Sequence, residues 1–330
     1  MNTLYDNHGR PISYLRLSVT DRCNLRCFYC MPAEGVPYVP KKSLLSYEEM
    51  LRICRVLAEN GVSKVRITGG EPFVRKGLVP FLHQLTALKG IEAVNITTNG
   101  VLTAPYIAEL KAMGIKSVNL SLDTLDADRF YAITRRNKFY AVMDCLEKLL
   151  AAGIETKINT VVMDGQNIED ILPLVALAKT HPVSVRFIEE MPFNGEGQHY
   201  PVLHWTHKKI LNHIQEAYPH LKRLPSSPGA TSTNYEIPGF QGNFGIIAAF
   251  SRTFCGSCNR IRMTAQGDLK TCLYGDPVLQ VRDLMRSGAS DETLLHTFKH
   301  VFQQRARDGF EAEQLRASGV VTESMSTIGG

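Results

Sequence analysis

Long apolar runs are missing from this 330-residue chain. No stretch reaches the roughly 18 consecutive apolar residues of a membrane-spanning helix, so no membrane association is expected. Met1 to Pro11 is polar and has no apolar h-region, so no signal peptide is expected either. Low-complexity tracts and solenoid-type repeats are also lacking. Neither sign of charge dominates. The net charge of +5 permits a phosphorylated substrate and does not demand nucleic acid. No helix-turn-helix pattern with a basic recognition helix is present, which argues against a DNA reader. With 44% hydrophobic residues there is ample core for one large α/β barrel with an appendage, or for two domains. Eight cysteines without a secretory signal point to a reducing compartment, the cytoplasm.

Six of those cysteines fall into two sets of three. Cys23, Cys27 and Cys30 form a C-x3-C-x2-C loop, and Cys255, Cys258 and Cys272 form C-x2-C-x13-C. Iron–sulfur clusters usually take four cysteines, so a three-thiol site leaves one iron of a [4Fe–4S] cube open to another ligand. Structural zinc is the rival, but it wants four ligands, and no nearby Cys or His completes either set. For the second set alone, a zinc ribbon with one unseen ligand stays open. Cys54 and Cys145 lie in apolar helical patterns and read as inert core residues.

Strand-like and helix-like segments alternate over the first 190 residues. Strands are predicted at Ile12–Thr20, Lys64–Thr68, Ala93–Thr98, Ser117–Asp123, Thr156–Val162 and Val183–Ile188. Helices are predicted at Ser46–Asn60, Lys76–Leu88, Thr103–Met113, Tyr140–Ala152 and Ile168–Lys179. Gly61, Gly90, Gly114 and Gly153 stand just past four of them, where left-handed caps are wanted. The expected fold is α/β: an incomplete (β/α)6 TIM-like barrel. Pro192 to Pro201 reads as a loop and Trp205 to Ala217 as a helix. Short β pieces follow near Thr233–Ile237 and Gly245–Phe250, and terminal helices near Val278–Met285 and Glu292–Gln304. A soft boundary near residue 225 divides a core, 1–224, from a C-terminal domain, 225–330, expected to cap the open side and carry the second cysteine set.

Barrel strands carry function at their C-terminal ends. Lys64–Thr68 runs directly into Gly69-Gly70-Glu71-Pro72, where paired glycines let backbone approach a ligand. Four strands carry an interior cation: Arg16, Arg66, Lys157 and Arg186. Pointing inward, they form a ring that needs anions, and arginine forks match phosphate geometry. Pointing outward, they are ordinary solvated charges. Arg260 and Arg262 share a face if Cys258-Asn259-Arg260-Ile261-Arg262 is extended.

The first cysteine loop, with Tyr29 just before its last cysteine, closely resembles the signature of the radical S-adenosylmethionine (SAM) enzymes. Gly-Gly-Glu-Pro, Thr97-Thr98-Asn99-Gly100, Ser121-Leu122-Asp123 and the second cysteine set, all in order, narrow the resemblance to the GTP 3′,8-cyclase family of molybdenum-cofactor biosynthesis. It covers essentially the whole chain. It implies two [4Fe–4S] clusters, the first cleaving SAM to a 5′-deoxyadenosyl radical, the second holding guanine. It implies hydrogen removal from C3′ of GTP, attack on C8 and formation of (8S)-3′,8-cyclo-7,8-dihydroguanosine 5′-triphosphate. By family position Tyr29, Gly70, Ser121 and Met191 contact SAM. Arg16, Arg66, Thr97, Lys157, Arg186, Arg260, Ile261 and Arg262 contact GTP, with Arg260 and Arg262 counted among the catalytic residues beside Cys23, Cys27 and Cys30. The family's Gly-Gly tail, here Gly329-Gly330, reaches the active site. Implied partners are a reductant such as flavodoxin or ferredoxin and cyclic pyranopterin monophosphate synthase downstream, with the chain a monomer or homodimer. Two other classes stay open: a peptide-modifying radical-SAM maturase, which usually has more C-terminal cysteines, and a metal-sensing regulator.

Overall fold

A computed structural model describes residues 3–194, 202–227, 229–317 and 323–329. Most of the predicted Pro192–Pro201 loop and Gly330 lie outside them. Six strands and six helices alternate from the N-terminus: β1 Tyr14–Ser18, α1 Tyr47–Ala58, β2 Lys64–Thr68, α2 Leu78–Thr86, β3 Ala93–Thr98, α3 Ile107–Ala112, β4 Ser117–Ser121, α4 Ala127–Thr134, α5 Phe139–Ala151, β5 Glu155–Val162, α6 Ile171–Thr180 and β6 Val183–Glu189. The local signals are ordinary ones. Ser46 caps α1 through a reciprocal box with Glu49. The four glycines predicted as caps all have positive φ. The predicted Thr103–Met113 helix begins instead as a 3-10 turn, Ala104–Tyr106, with Pro105 in it.

The remaining elements are α7 His207–Ala217, β7 Lys222–Arg223, β8 Ser232–Glu236, β9 Asn243–Ile247, β10 Arg260–Met263, β11 Asp268–Lys270, β12 Leu279–Gln280, α8 Val281–Arg286, α9 Asp291–Phe302, α10 Gly309–Gln314 and α11 Met325–Ile328. All the strands join one sheet, in the order β12-β11-β10-β1-β2-β3-β4-β5-β6-β9-β8-β7. β1 to β6 run parallel, as expected. The C-terminal segment enters this sheet rather than lying over it as a separate cap. β9 pairs parallel with β6, and β10 pairs parallel with β1, so both open edges are satisfied by C-terminal backbone. Among the described residues β9 and β10 do not pair with each other, so the barrel stays open between them.

Alternation along the strands sorts apolar from polar. Leu15, Leu17, Val65, Ile67, Val94, Ile96, Val118, Leu120, Ile158, Val185 and Phe187 are buried in the main hydrophobic core with the helices' apolar faces. The opposite faces carry Arg16, Arg66, Asn119, Lys157 and Arg186, which border the interior. A closed TIM barrel fills that interior with branched apolar side chains. Here it is a polar cavity.

Candidate active site

The cavity has a volume of about 580 Å³ and is walled by the strands' inner faces and by both cysteine loops. Cys23, Cys27 and Cys30 follow β1, and the surrounding backbone holds their loop from several sides. Gly70 N–H donates to the Thr20 carbonyl at 2.8 Å, and Glu71 N–H to that of Arg22 at 2.8 Å. A Cβ on Gly70 would lie 2.3 Å from the Arg22 oxygen, so this close approach admits only glycine. Glu71 is fully buried. Its carboxylate accepts from Asn99 N–H at 2.7 Å and from Thr98 Oγ1 at 2.8 Å. Burial, only partly offset by those bonds, lifts its pKa to about 7. The Asn99 amide reaches the loop itself, donating to Asn24 Oδ1 at 2.7 Å and to Cys23 Sγ at 3.7 Å. At the far side, Arg26 and Phe28 donate to the carbonyls of Thr134 and Ile133 at the end of α4. Ser324 Oγ donates to the Cys30 carbonyl at 2.6 Å.

Burial raises all three thiols, Cys23 to about 11, and the neighbouring thiols push Cys27 and Cys30 higher. Three thiolates this close need a cationic group between them, which an iron–sulfur cube supplies. No set of three or more Cys, His, Asp or Glu among the described residues closes around a single metal ion. Ligands of a cube each bind a different iron and need no such convergence. Beside the loop, the Tyr29 hydroxyl donates to Asp123 Oδ2 at 2.7 Å. Burial brings Asp123 up to about 6.

The second triad faces the first across the cavity. Its loop is fixed by a buried ionic cluster that sequence reading missed. Asp6 pairs with Arg10 at 2.7 Å and with Arg305 at 3.3 Å. Arg10 donates to the Cys255 carbonyl, and Arg305 to the Cys258 carbonyl, to Cys258 Sγ at 3.2 Å and to the Arg260 carbonyl. Burial alone would raise Cys258, but Arg260 and Arg305 outweigh it and bring the thiol to about 7. Burial raises Cys255 and Cys272. The one sequence signal for this cluster was the polar, charged N-terminal segment, which carries no motif.

Between the triads lies a cationic wall. The register aligns Arg262, Arg16 and Arg66 side by side on β10, β1 and β2. Neighbouring strands are about 4.8 Å apart, and like charges directly opposite are destabilising. Burial and then Arg262 push Arg16 well down, and burial and then Arg260 bring Arg262 to about 10. Arg186, on β6, is held to about 10 by burial and by Arg66. Tyr14 is brought to about 8: burial opposes ionisation, and Arg66, Arg16 and Lys64 overcome it. Arg186 Nε, Arg260 Nη2, Asn119 Oδ1 and Asn159 Oδ1 are buried on this wall with no hydrogen-bond partner. That is the donor and acceptor set a large polar anion would satisfy. Lys157 differs from the others, because Glu155 pairs with it at 2.7 Å.

Every predicted site residue within the described residues borders this cavity except Ile261. Tyr29, Gly70, Ser121 and Met191 lie on the side of the first triad's loop and the neighbouring strand ends, and Thr97 lies on β3. Ile261 is fully buried in the hydrophobic core, because alternation turns it away from Arg260 and Arg262. Its side chain thus faces the core and not the cavity. Gly329 is buried against Ser18 and Thr68, with its carbonyl accepting from Arg262 at 2.7 Å.

An open α/β barrel with a three-cysteine loop after its first strand defines the class, and sequence comparison agrees. Residues 17–178 match the Radical SAM superfamily, and residues 183–310 match Molybdenum Cofactor Synthesis C. A GTP 3′,8-cyclase of Heliobacterium modesticaldum is 41% identical, over 92% of this chain and 93% of that one. The chain belongs to the GTP 3′,8-cyclase family. Molybdenum cofactor biosynthesis protein 1 of Bos taurus is 44% identical over 88% of this chain, which spans only 46% of that protein's length. The crystal structure of Streptococcus suis SuiB bound to S-adenosylmethionine shares the fold, with TM-score 0.61, 17% identity, and coverage of 94% of this chain and 69% of that one. No helix among the described residues is long and apolar enough to cross a membrane.

Proposed function

We propose that this chain converts GTP to (8S)-3′,8-cyclo-7,8-dihydroguanosine 5′-triphosphate while SAM is cleaved to 5′-deoxyadenosine and methionine, the first step of molybdenum-cofactor biosynthesis. The observation that carries the reading is the row Arg262-Arg16-Arg66 set between two thiol triads on one cavity. Cys23, Cys27 and Cys30 would hold a [4Fe–4S] cluster, which when bound would supply the one-electron reduction of SAM. Tyr29, Gly70, Ser121 and Met191 are the residues that would seat SAM beside it. Arg16, Arg66, Lys157 and Arg186 take the triphosphate, and Thr97 the sugar side. Arg260 and Arg262 orient the nucleotide toward Cys255, Cys258 and Cys272, which would hold a second cluster whose open iron would supply a ligand position for the guanine.

Fixing the substrate at both ends positions C3′ for hydrogen removal. Residues 1–224 act as the radical-generating core and 225–330 as the substrate-holding part. The product passes to cyclic pyranopterin monophosphate synthase, and the chain works in a reducing compartment, the cytoplasm, as a monomer or homodimer. Cys272→Ala separates the two roles. The variant should still cleave SAM under reducing conditions and make no cyclised GTP. Normal product from it would remove the substrate-holding role of the second triad.

A further inference from the structure

Cleaving SAM takes up one electron, which neither SAM nor GTP provides. It has to reach the first cysteine loop from outside the protein. The outer side of that loop is a basic surface. Arg22 is exposed, and Arg26 donates to the Cys23 and Leu25 carbonyls and to Tyr38 Oη. Directly against them, the turn after α4 carries Arg135, Arg136 and Lys138. The turn is bonded to the loop: Arg135 donates to the carbonyls of Arg26 and Met31, and Arg136 to that of Arg135.

None of these five cations has a carboxylate within ion-pair distance among the described residues. Other surface arginines, Arg52, Arg55, Arg129, Arg282 and Arg286, each pair with an Asp or Glu. Glu34 is the sole acidic residue between Arg22 and Lys42, and none occurs between Arg135 and Met143. Tyr131 and Tyr140, 56% and 75% exposed, flank the turn and suit a protein contact.

We infer that the surface formed by Arg22, Arg26, Arg135, Arg136 and Lys138 docks an acidic, low-potential one-electron carrier protein. The carrier loses one electron and the group on Cys23, Cys27 and Cys30 gains it. The inference rests on the proposed function and adds where its reductant binds.

The test uses the full chain with both clusters reconstituted, SAM and GTP, reduced either by flavodoxin, itself an acidic carrier, or by dithionite, which needs no docking site. Arg136→Glu with Lys138→Glu should raise the KM for flavodoxin on the order of tenfold and leave the dithionite-driven rate unchanged. Added salt should slow the flavodoxin-driven wild-type reaction and affect the double variant little. The milder Arg136→Gln, which spares the fold, should shift the flavodoxin KM in the same direction by less. An unchanged flavodoxin KM in both variants overturns the inference, as does a patch that binds single-stranded oligonucleotide while flavodoxin-driven turnover is indifferent to it. A wild-type protein that cleaves no SAM even with dithionite overturns the proposed function, and this inference with it.

Discussion

Arg262 is restrained from three directions. It stands next to Arg16 in register, it is buried, and its guanidinium already donates to the carbonyl of Gly329. The burial and the repulsion are costs that only an anion offsets. Arg262→Ala should therefore weaken GTP binding by tenfold or more, in line with about 1.5–3 kcal/mol for a charged hydrogen bond. SAM affinity should stay within about twofold on the same reasoning. Parallel titrations of the two ligands check this, and equal losses for both would contradict it. The cationic ring was readable in the strands as interior charges, because period-two alternation fixes which face they share. That Lys157 pairs with Glu155 was missed although the signal was local, since the two stand two residues apart on one face of β5.

At the scale of elements, the motifs are mostly braces. Gly-Gly-Glu runs along the approach to Cys23, and Asn99 spans from β3 to the cysteine loop. Gly70→Ala should displace that approach, since a Cβ 2.3 Å from the Arg22 oxygen cannot be accommodated without a backbone shift. The variant should fold, lose about half of its reconstituted iron, and keep the second cluster's spectroscopic signal. Full iron content would contradict this.

Glu71 gives a pH signature. Its folded pKa, about 7, lies above the ordinary glutamate value of 4.5, so across that window the native state keeps a proton that the unfolded chain has released. Stability should accordingly fall as pH rises through the window, by roughly 3 kcal/mol in all. Denaturant unfolding of wild type and Glu71→Gln from pH 5 to 7 tests it. The variant's slope should be flatter, and parallel curves would refute the assignment. Strands β2 and β3 were legible to the residue because their alternation is clean. Helix α4 was missed, because eight residues with exposed Tyr131 give a weak apolar stripe, although its end holds the first cysteine loop. The Asp6–Arg10–Arg305 cluster was missed because Arg305, which ties the pair to the second cysteine loop, lies 299 residues from Asp6 in sequence.

The whole molecule is organised by how its two ends meet. The parallel sheet begun by β1 to β6 would leave both edges bare, and the C-terminal segment supplies β9 to one and β10 to the other. Because β10 follows directly on Cys258, its pairing with β1 carries the second triad to the wall opposite the first and sets Arg260 and Arg262 between them. The sequence showed two triads and six β/α units. It did not show that the C-terminal part completes the same sheet, since strand order depends on long-range pairing.

In the proposed reaction both triads serve one substrate in one cavity. The most direct measurement is anaerobic turnover of protein reconstituted with iron and sulfide, given SAM, dithionite and GTP, with 5′-deoxyadenosine and GTP-derived product quantified together. Formation of 5′-deoxyadenosine should depend on GTP, with a cyclised GTP product appearing in step with it. SAM cleavage indifferent to GTP, with GTP recovered unchanged from protein holding both clusters, would contradict it.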